Sequence, residues 1–239
     1  VERLEAAGVA VIPTLGKFVG PGKIEAGGKT IRYRKAMIAT GASPVVPGIT
    51  GLRESEPLTS DTIWALTKLP ERLVVIGGGA IGCELGQAFS RLGSKVTLVE
   101  AAPRILSTLG KNVSELVMSR FEAEGMTVMP GTTVTGVDGS ATDGNLVVVV
   151  DHETRIAADQ VLVAVGRRPN TANLNLSAVG VELTERGHVK VDDRLETTND
   201  HIYAGGDVIG KMPFTHTAGM HGGLVVSNAL FGLRRKADH

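Results

Sequence analysis

An apolar run from Leu73 to Ile76 breaks at Gly77-Gly78-Gly79-Ala80-Ile81-Gly82, and a helical pattern follows from Ala80 to Leu92. A strand that runs through Gly-x-Gly-x-x-Gly into a helix has few ways to fold. Gly77 permits the tight turn, Gly79 lets backbone approach a pyrophosphate, and Gly82 lets the helix pack closely on its strand. The N–H groups opening the helix, at Ala80, Ile81 and Gly82, have no partner within it and favour an anion. Glu100 closes the next apolar run, Val96 to Val99, at the distance where a carboxylate binds both ribose hydroxyls of an adenosine. Its charge repels a 2′-phosphate, so the pattern favours NAD over NADP. Arg104 is the nearby residue able to hold such a phosphate. A glycine turn without a ligand is the alternative, and the strand, helix and acid at these spacings weigh against it.

The rest of this stretch alternates in the same way. Val113 to Glu124 predicts a second helix, with Ile81, Leu85, Ala88, Phe89 and Leu92 forming the apolar face of the first. Met126 to Met129 predicts a third strand. Val134 to Val137, Leu146 to Val150 and Gln160 to Val165 predict a β-meander that returns to the sheet. The β-α-β-α-β order gives an α/β fold, a Rossmann-like doubly wound parallel sheet plus meander.

The flanks read differently. Before residue 70, Val9 to Ile12 and Ala36 to Ala39 predict strands, and Lys23 to Glu25 with Thr30 to Tyr33 predict a hairpin around Gly27-Gly28. Asp61 to Leu66 predicts a short helix. After Gly166, Val189 to Val191 and His201 to Ala204 predict short strands, and Thr215 to Leu230 a helix.

Composition narrows the function classes. Lys plus Arg total 25 and Asp plus Glu total 25, so no net charge draws the chain to nucleic acid or to an anionic membrane. Any phosphate must therefore be held by local devices. The single cysteine, Cys83, excludes an internal disulfide or a cysteine zinc site, and no metal ligand set is expected. No run reaches membrane-spanning length. No signal-peptide pattern opens the chain, which points to the cytoplasm.

Taken together, several segments resemble the pyridine nucleotide-disulfide oxidoreductase family, and within it the dihydrolipoamide dehydrogenase and mercuric reductase subfamilies. They are Ala39-Thr40-Gly41-Ala42-Ser43-Pro44, Leu69-Pro70-Glu71-Arg72-Leu73, the glycine loop through Glu84, and Gly93-Ser94-Lys95-Val96-Thr97. Gly166 to Thr171 and Thr198 to Asp207 complete the set in collinear order. The resemblance implies an NAD-binding domain over 70–166 inserted in a partial FAD-binding domain formed by 1–69 and 167–239. It implies nicotinamide contacts at Glu84 and Gly166 beside the glycine loop. Asp207, after Gly206, corresponds to the carboxylate on a ribityl hydroxyl of FAD, and Thr40 and Gly41 to the turn beside the FAD phosphates. His216, Thr217 and Ala218 correspond to a helix start facing the flavin pyrimidine edge.

The resemblance also implies parts not found here: an N-terminal Gly-x-Gly-x-x-Gly, a Cys-x4-Cys dithiol, and a C-terminal interface domain with a His–Glu pair. No residue of the chain is therefore expected to be catalytic. Cys83, directly after the glycine loop, reads as an inert thiol. The expectation is a fragment of a flavoprotein oxidoreductase moving hydride between NAD(H) and FAD, homodimeric as a whole, with a disulfide or similar acceptor. An NAD-binding module without turnover is one alternative. A dithiol-free NADH oxidase or ferredoxin reductase is another.

Overall fold

The computed structural model describes residues 1–141 and 144–238. Residues 142 and 143, in the assigned NAD segment, and 239, at the end of the second flavin segment, lie outside the described residues. The chain forms two compact units, one of residues 1–43 with 168–239 and the other of 44–167. It opens with helix α1 (Glu2–Ala6) and strands β1 (Gly16–Gly20), β2 (Lys23–Ala26), β3 (Lys29–Arg32), β4 (Ala36–Ile38), β5 (Ala42–Pro44) and β6 (Leu58–Thr59). Next come β7 (Arg72–Ile76), α2 (Ala80–Leu92), β8 (Lys95–Glu100), α3 (Lys111–Ala123) and β9 (Thr127–Pro130). Strands β10 (Val134–Asp138), β11 (Leu146–Val150), β12 (Thr154–Ala158), β13 (Gln160–Val163) and β14 (Arg167–Pro169) precede β15 (Ile202–Ala204) and α4 (Thr215–Phe231).

In the 44–167 unit, five parallel strands run in the order β6-β13-β7-β8-β9. Along β7, Val74 and Ile76 join one apolar cluster while Leu73 and Val75 join another. Both faces are thus covered, which is why the strand reads as an unbroken apolar run rather than an alternation. Strands β10, β11 and β12 form the antiparallel meander against one face. The sequence placed Gln160 to Val165 at the end of the meander. In the structure β12 is the third meander strand, and β13 joins the parallel sheet beside β7.

Residues 44–69, grouped on sequence with the first flavin segment, pack in this unit. Leu52 is fully buried in the meander-side cluster and Ile63 lies in the other. Gly51, with φ of 72°, lies against β10, where a Cβ would come within 1.9 Å of the Val137 carbonyl oxygen. The predicted helix at Asp61 to Leu66 is a single 3-10 turn, Ile63–Ala65.

The face of α2 differs from its periodicity. Gly82, Cys83 and Gly86 are its buried residues, while Ala88 and Leu92 are exposed. Glycine counts for little in an apolar pattern, yet here its lack of a side chain brings the helix backbone onto the sheet.

In the other unit, β1-β2-β3 form an antiparallel sheet whose β2–β3 pair is the expected hairpin, and β4 pairs in parallel with β15. Val9 to Ile12 is not a strand. Val9 and Ile12 are exposed, and β-propensity without a pairing edge does not make a strand. Val189 contributes one bridge, to Leu183, instead of the strand expected at Val189 to Val191, because neighbouring hydrogen bonds go to different segments at Glu182 and Val208. No helix of the described residues is long and apolar enough to cross a membrane.

Helices α2 and α3 are tied together by Glu124, which accepts hydrogen bonds from Arg91 (2.7 Å), Arg120 (2.6 Å) and Gln87 (3.0 Å). The Arg91 hydrogen bond, helped by Gln87 and Arg120, holds the Glu124 carboxyl down at about 2. A carboxyl depressed on folding stabilises above its unfolded value and ceases to do so as pH falls through its folded value. Glu124→Gln is therefore expected to lower the urea midpoint at pH 7. The difference from wild type should shrink below pH about 4.5 and vanish near pH 2; a difference independent of pH would rule this role out.

Candidate functional site

The carboxyl ends of β7, β8 and β13 meet at the glycine loop. The Gly77 N–H donates to the Val99 carbonyl (2.8 Å), and the Ala164 N–H donates to that of Ile76 (2.8 Å). Gly77 has φ of 108°, and a Cβ there would lie 2.6 Å from the Ala164 carbonyl oxygen. A Cβ on Gly82 would lie 1.9 Å from the Gly77 carbonyl oxygen. Only hydrogen fits at either position. Gly79 is the opposite case: it is exposed, its φ is −74°, and a Cβ would meet nothing within 4 Å. The space above Gly79 is open, and neither backbone strain nor a protein neighbour requires glycine there.

Gly79 caps α2, and its carbonyl accepts the first intrahelical bond, from the Cys83 N–H (2.9 Å). The N–H groups of Ala80, Ile81 and Gly82 precede that bond, so the helix end is a donor set with a partial positive charge. Glu84 is exposed, just past the first turn of α2. Gly166 lies just past the Ala164–Val165 backbone that abuts Gly77, with φ of 145° and open space around its Cα.

Glu100 ends β8 with its carboxylate gripped at both oxygens. Oε2 accepts from the Gly78 N–H (2.5 Å) and Oε1 from the Ala102 N–H (2.6 Å). Each oxygen keeps a lone pair for a further donor. Gly78, which the motif leaves unspecified, is therefore a site residue that pattern matching misses. A Cβ on it would lie 2.7 Å from Ile105 Cγ2 and 3.0 Å from Glu100 Cβ. Arg104 donates to the carbonyls of Leu109 (2.7 Å) and Ser107 (2.8 Å), which commits it to its own loop.

Cys83 is buried under the loop, its Sγ 3.4 Å from the Gly78 carbonyl. Burial, with the charges of Glu100 and Glu84, pushes the thiol up to about 11. At neutral pH it is protonated and unreactive.

The second group of expected residues gathers in the other unit, at the carboxyl ends of the parallel pair β4 and β15. Thr40 and Gly41 follow β4. The Thr40 hydroxyl donates to the Asn170 carbonyl (2.8 Å), and the Asn170 side-chain amide donates to the Thr40 carbonyl (2.9 Å). The Asn170 N–H donates to the Gly41 carbonyl (3.0 Å). Gly205, Gly206 and Asp207 follow β15, with Gly206 at φ of 75°. Asn170, part of the Gly166 to Thr171 motif, and His221, which accepts from the Gly206 N–H (3.0 Å), are given no role by the sequence.

At the start of α4, Thr217 is buried and His216 is exposed, its ring stacked on Phe214 at 5.4 Å. The Ala218 N–H already donates to the Phe214 carbonyl (3.0 Å). The donors left at this helix end are thus Thr215, His216 and Thr217, one residue earlier than the expected set.

The model of one protein family, pyridine nucleotide-disulphide oxidoreductase, matches residues 1–222. The chain belongs to that family. It is 41% identical to the mercuric reductase of Lysinibacillus sphaericus over 223 residues, covering 93% of this chain and 41% of that protein. It is 37% identical to the dihydrolipoyl dehydrogenase of Thermus scotoductus over 232 residues, 92% of this chain and 49% of that protein. Among solved structures, the Cu(II) complex of the HOCl-induced flavoprotein disulfide reductase RclA from Escherichia coli superposes with a TM-score of 0.87 at 31% identity. That match covers 95% of this chain and 52% of the other. The chain thus spans about half or less of the length of these relatives, which are flavin- and pyridine-nucleotide-dependent oxidoreductases as a family.

The glycine geometry separates positions held by packing from the one left open. Gly82→Ala is expected to cost roughly 1–3 kcal/mol or more by overpacking. Gly79→Ser places a favourable capping residue in free space and should stay within about 0.5 kcal/mol of wild type. Thermal unfolding of the two variants checks this; equal losses would contradict the geometry.

Proposed function

We propose that the 44–167 unit binds NAD(H) and that the other unit forms part of an FAD site, so that the chain carries the hydride-transfer region of a flavoprotein oxidoreductase. The observation that carries the reading is the pairing of an open helix end at Gly79 with a carboxylate held rigidly on the next strand. Backbone N–H groups at Ala80, Ile81 and Gly82 take the pyrophosphate, with Gly79 leaving room for its approach. The remaining lone pairs of Glu100 accept the 2′- and 3′-hydroxyls of the adenosine ribose. Because both oxygens are already fixed by Gly78 and Ala102, little ordering cost falls on binding. A 2′-phosphate would meet this carboxylate, and Arg104 is committed elsewhere. Both features favour NAD over NADP. Glu84 and Gly166 line the nicotinamide side.

In the other unit, Asp207 accepts a ribityl hydroxyl and the Thr40–Gly41 turn borders the flavin phosphates. The N–H groups of Thr215, His216 and Thr217 face the pyrimidine edge, where reduced flavin carries negative charge. When bound, the two groups supply hydride transfer between nicotinamide and isoalloxazine. No side chain of this chain is assigned a proton-transfer or nucleophilic step. The electron acceptor of the whole protein is proposed to be a disulfide or a similar two-electron acceptor, in a cytoplasmic homodimer, by analogy with the named relatives.

The test is a titration with NADH and NADPH followed by nicotinamide fluorescence. Saturable binding with NADH preferred is the expected result. Gly79→Val, which fills the open space, should remove binding of both nucleotides, and retained binding would displace the pyrophosphate from this loop. Glu100→Arg should weaken NADH relative to NADPH by at least tenfold, about 1.4 kcal/mol. An unchanged preference would take Glu100 out of the ribose site.

A further inference from the structure

Helix α4 buries Thr217, His221, Val225 and Asn228. One of these, His221, is an imidazole with no exposed surface. Its Nδ1 accepts the Gly206 N–H at 3.0 Å. A backbone N–H only donates, so Nδ1 carries the lone pair and the neutral ring bears its proton on Nε2. The two residues ahead of Asp207 are shaped around this contact. A Cβ on Gly205 would lie 2.9 Å from His221 Cβ and 2.8 Å from Met37 Cε, so a side chain there would push the imidazole away. The Gly205 N–H donates to the Ile38 carbonyl (3.1 Å), which ties the same turn to the end of β4. Gly206 has φ of 75°, in the left-handed region that glycine adopts without steric cost.

We propose that His221 is a positioning residue for the flavin: its Nδ1 clamps the Gly206 amide, and through it sets Asp207 relative to the first turn of α4. The inference rests on the reading of Asp207 and α4 as flavin ligands. Its physical content is that the two devices belong to different elements, a strand-end turn and a helix end. A single ligand can use both only if their separation is fixed. His221 is part of α4 and holds the Gly206 amide, so it joins the helix to the turn. The sequence did carry a sign of it, because the spacing Thr217, His221, Val225 puts a lone histidine on the buried stripe of an otherwise uncharged helix.

Two substitutions in the full-length protein separate the hydrogen bond from the packing. His221→Leu keeps much of the volume and removes the acceptor. In His221→Asn, Oδ1 replaces Nδ1 at the same distance along the side chain. FAD affinity is read from flavin fluorescence and from the visible band of bound flavin, and NADH affinity serves as the control for an intact 44–167 unit. Loss of the acceptor leaves the half-buried Gly206 N–H without this partner, so His221→Leu is expected to weaken FAD binding about tenfold or more, with NADH affinity unchanged. His221→Asn is expected to restore FAD binding to within a few-fold of wild type. FAD affinity unaffected by Leu, or weakened as much by Asn as by Leu, overturns the clamp. If the Leu variant does not fold, Asn alone decides: preserved affinity upholds the acceptor and a tenfold loss overturns it. Failure of the wild-type protein to bind FAD would overturn the flavin reading and the clamp together, an outcome distinguishable without any variant.

Discussion

The 44–167 unit depends on one close approach, that of the Gly82 Cα to the Gly77 carbonyl. Without side chains at these two positions, α2 can begin directly where β7 ends, pressed against both its own strand and the returning strand β13. That packing brings Gly86 against Val75 and Val96 one turn further on, with Cβ-to-side-chain separations of 3.7 Å available there. It also leaves open space at Gly79, where α2 begins, with no described residue within 4 Å of a Cβ there. The packing requirement at Gly82 and the open space at Gly79 are two consequences of one turn.

Electrostatics then refine the pocket. Glu100 would be a costly group to hold half-buried in one orientation if its oxygens were unsatisfied. Two backbone amides satisfy them, and one of these, at Gly78, belongs to the glycine loop itself. The Glu100 carboxylate and the glycine loop are therefore a single hydrogen-bonded assembly. Burial, added to by the same negative charge, raises the thiol of Cys83 to about 11.

The second unit repeats the logic with different parts. Two glycine-containing turns leave the carboxyl ends of adjacent parallel strands, β4 and β15, where open α/β sheets place their ligands. Asn170 braces one turn with three hydrogen bonds to Thr40 and Gly41, and His221 braces the other through Gly206. Asn170 reaches its turn from 130 residues away, and His221 reaches its own from the second turn of α4.

By itself, the sequence determined the order of elements from β7 to α3, the glycine loop, the acid at its proper distance, and the family. These are local regularities: period, turn chemistry and spacing within about 30 residues. The tertiary structure alone decided which apparent strands found partners. Val9 to Ile12 has strand composition but no edge to pair with, and Leu58–Thr59 has little composition to recommend it yet pairs with β13. It also decided that residues 44–69 pack with the parallel sheet, because Leu52 and Ile63 are buried there. The roles of Gly78, Asn170 and His221 came from three-dimensional proximity as well. Gly78 sits between two motif positions, Asn170 lies in the Gly166 to Thr171 motif with no role of its own assigned, and His221 shows only as a histidine on the buried stripe of its helix; their meaning lies in hydrogen bonds that span up to 130 residues.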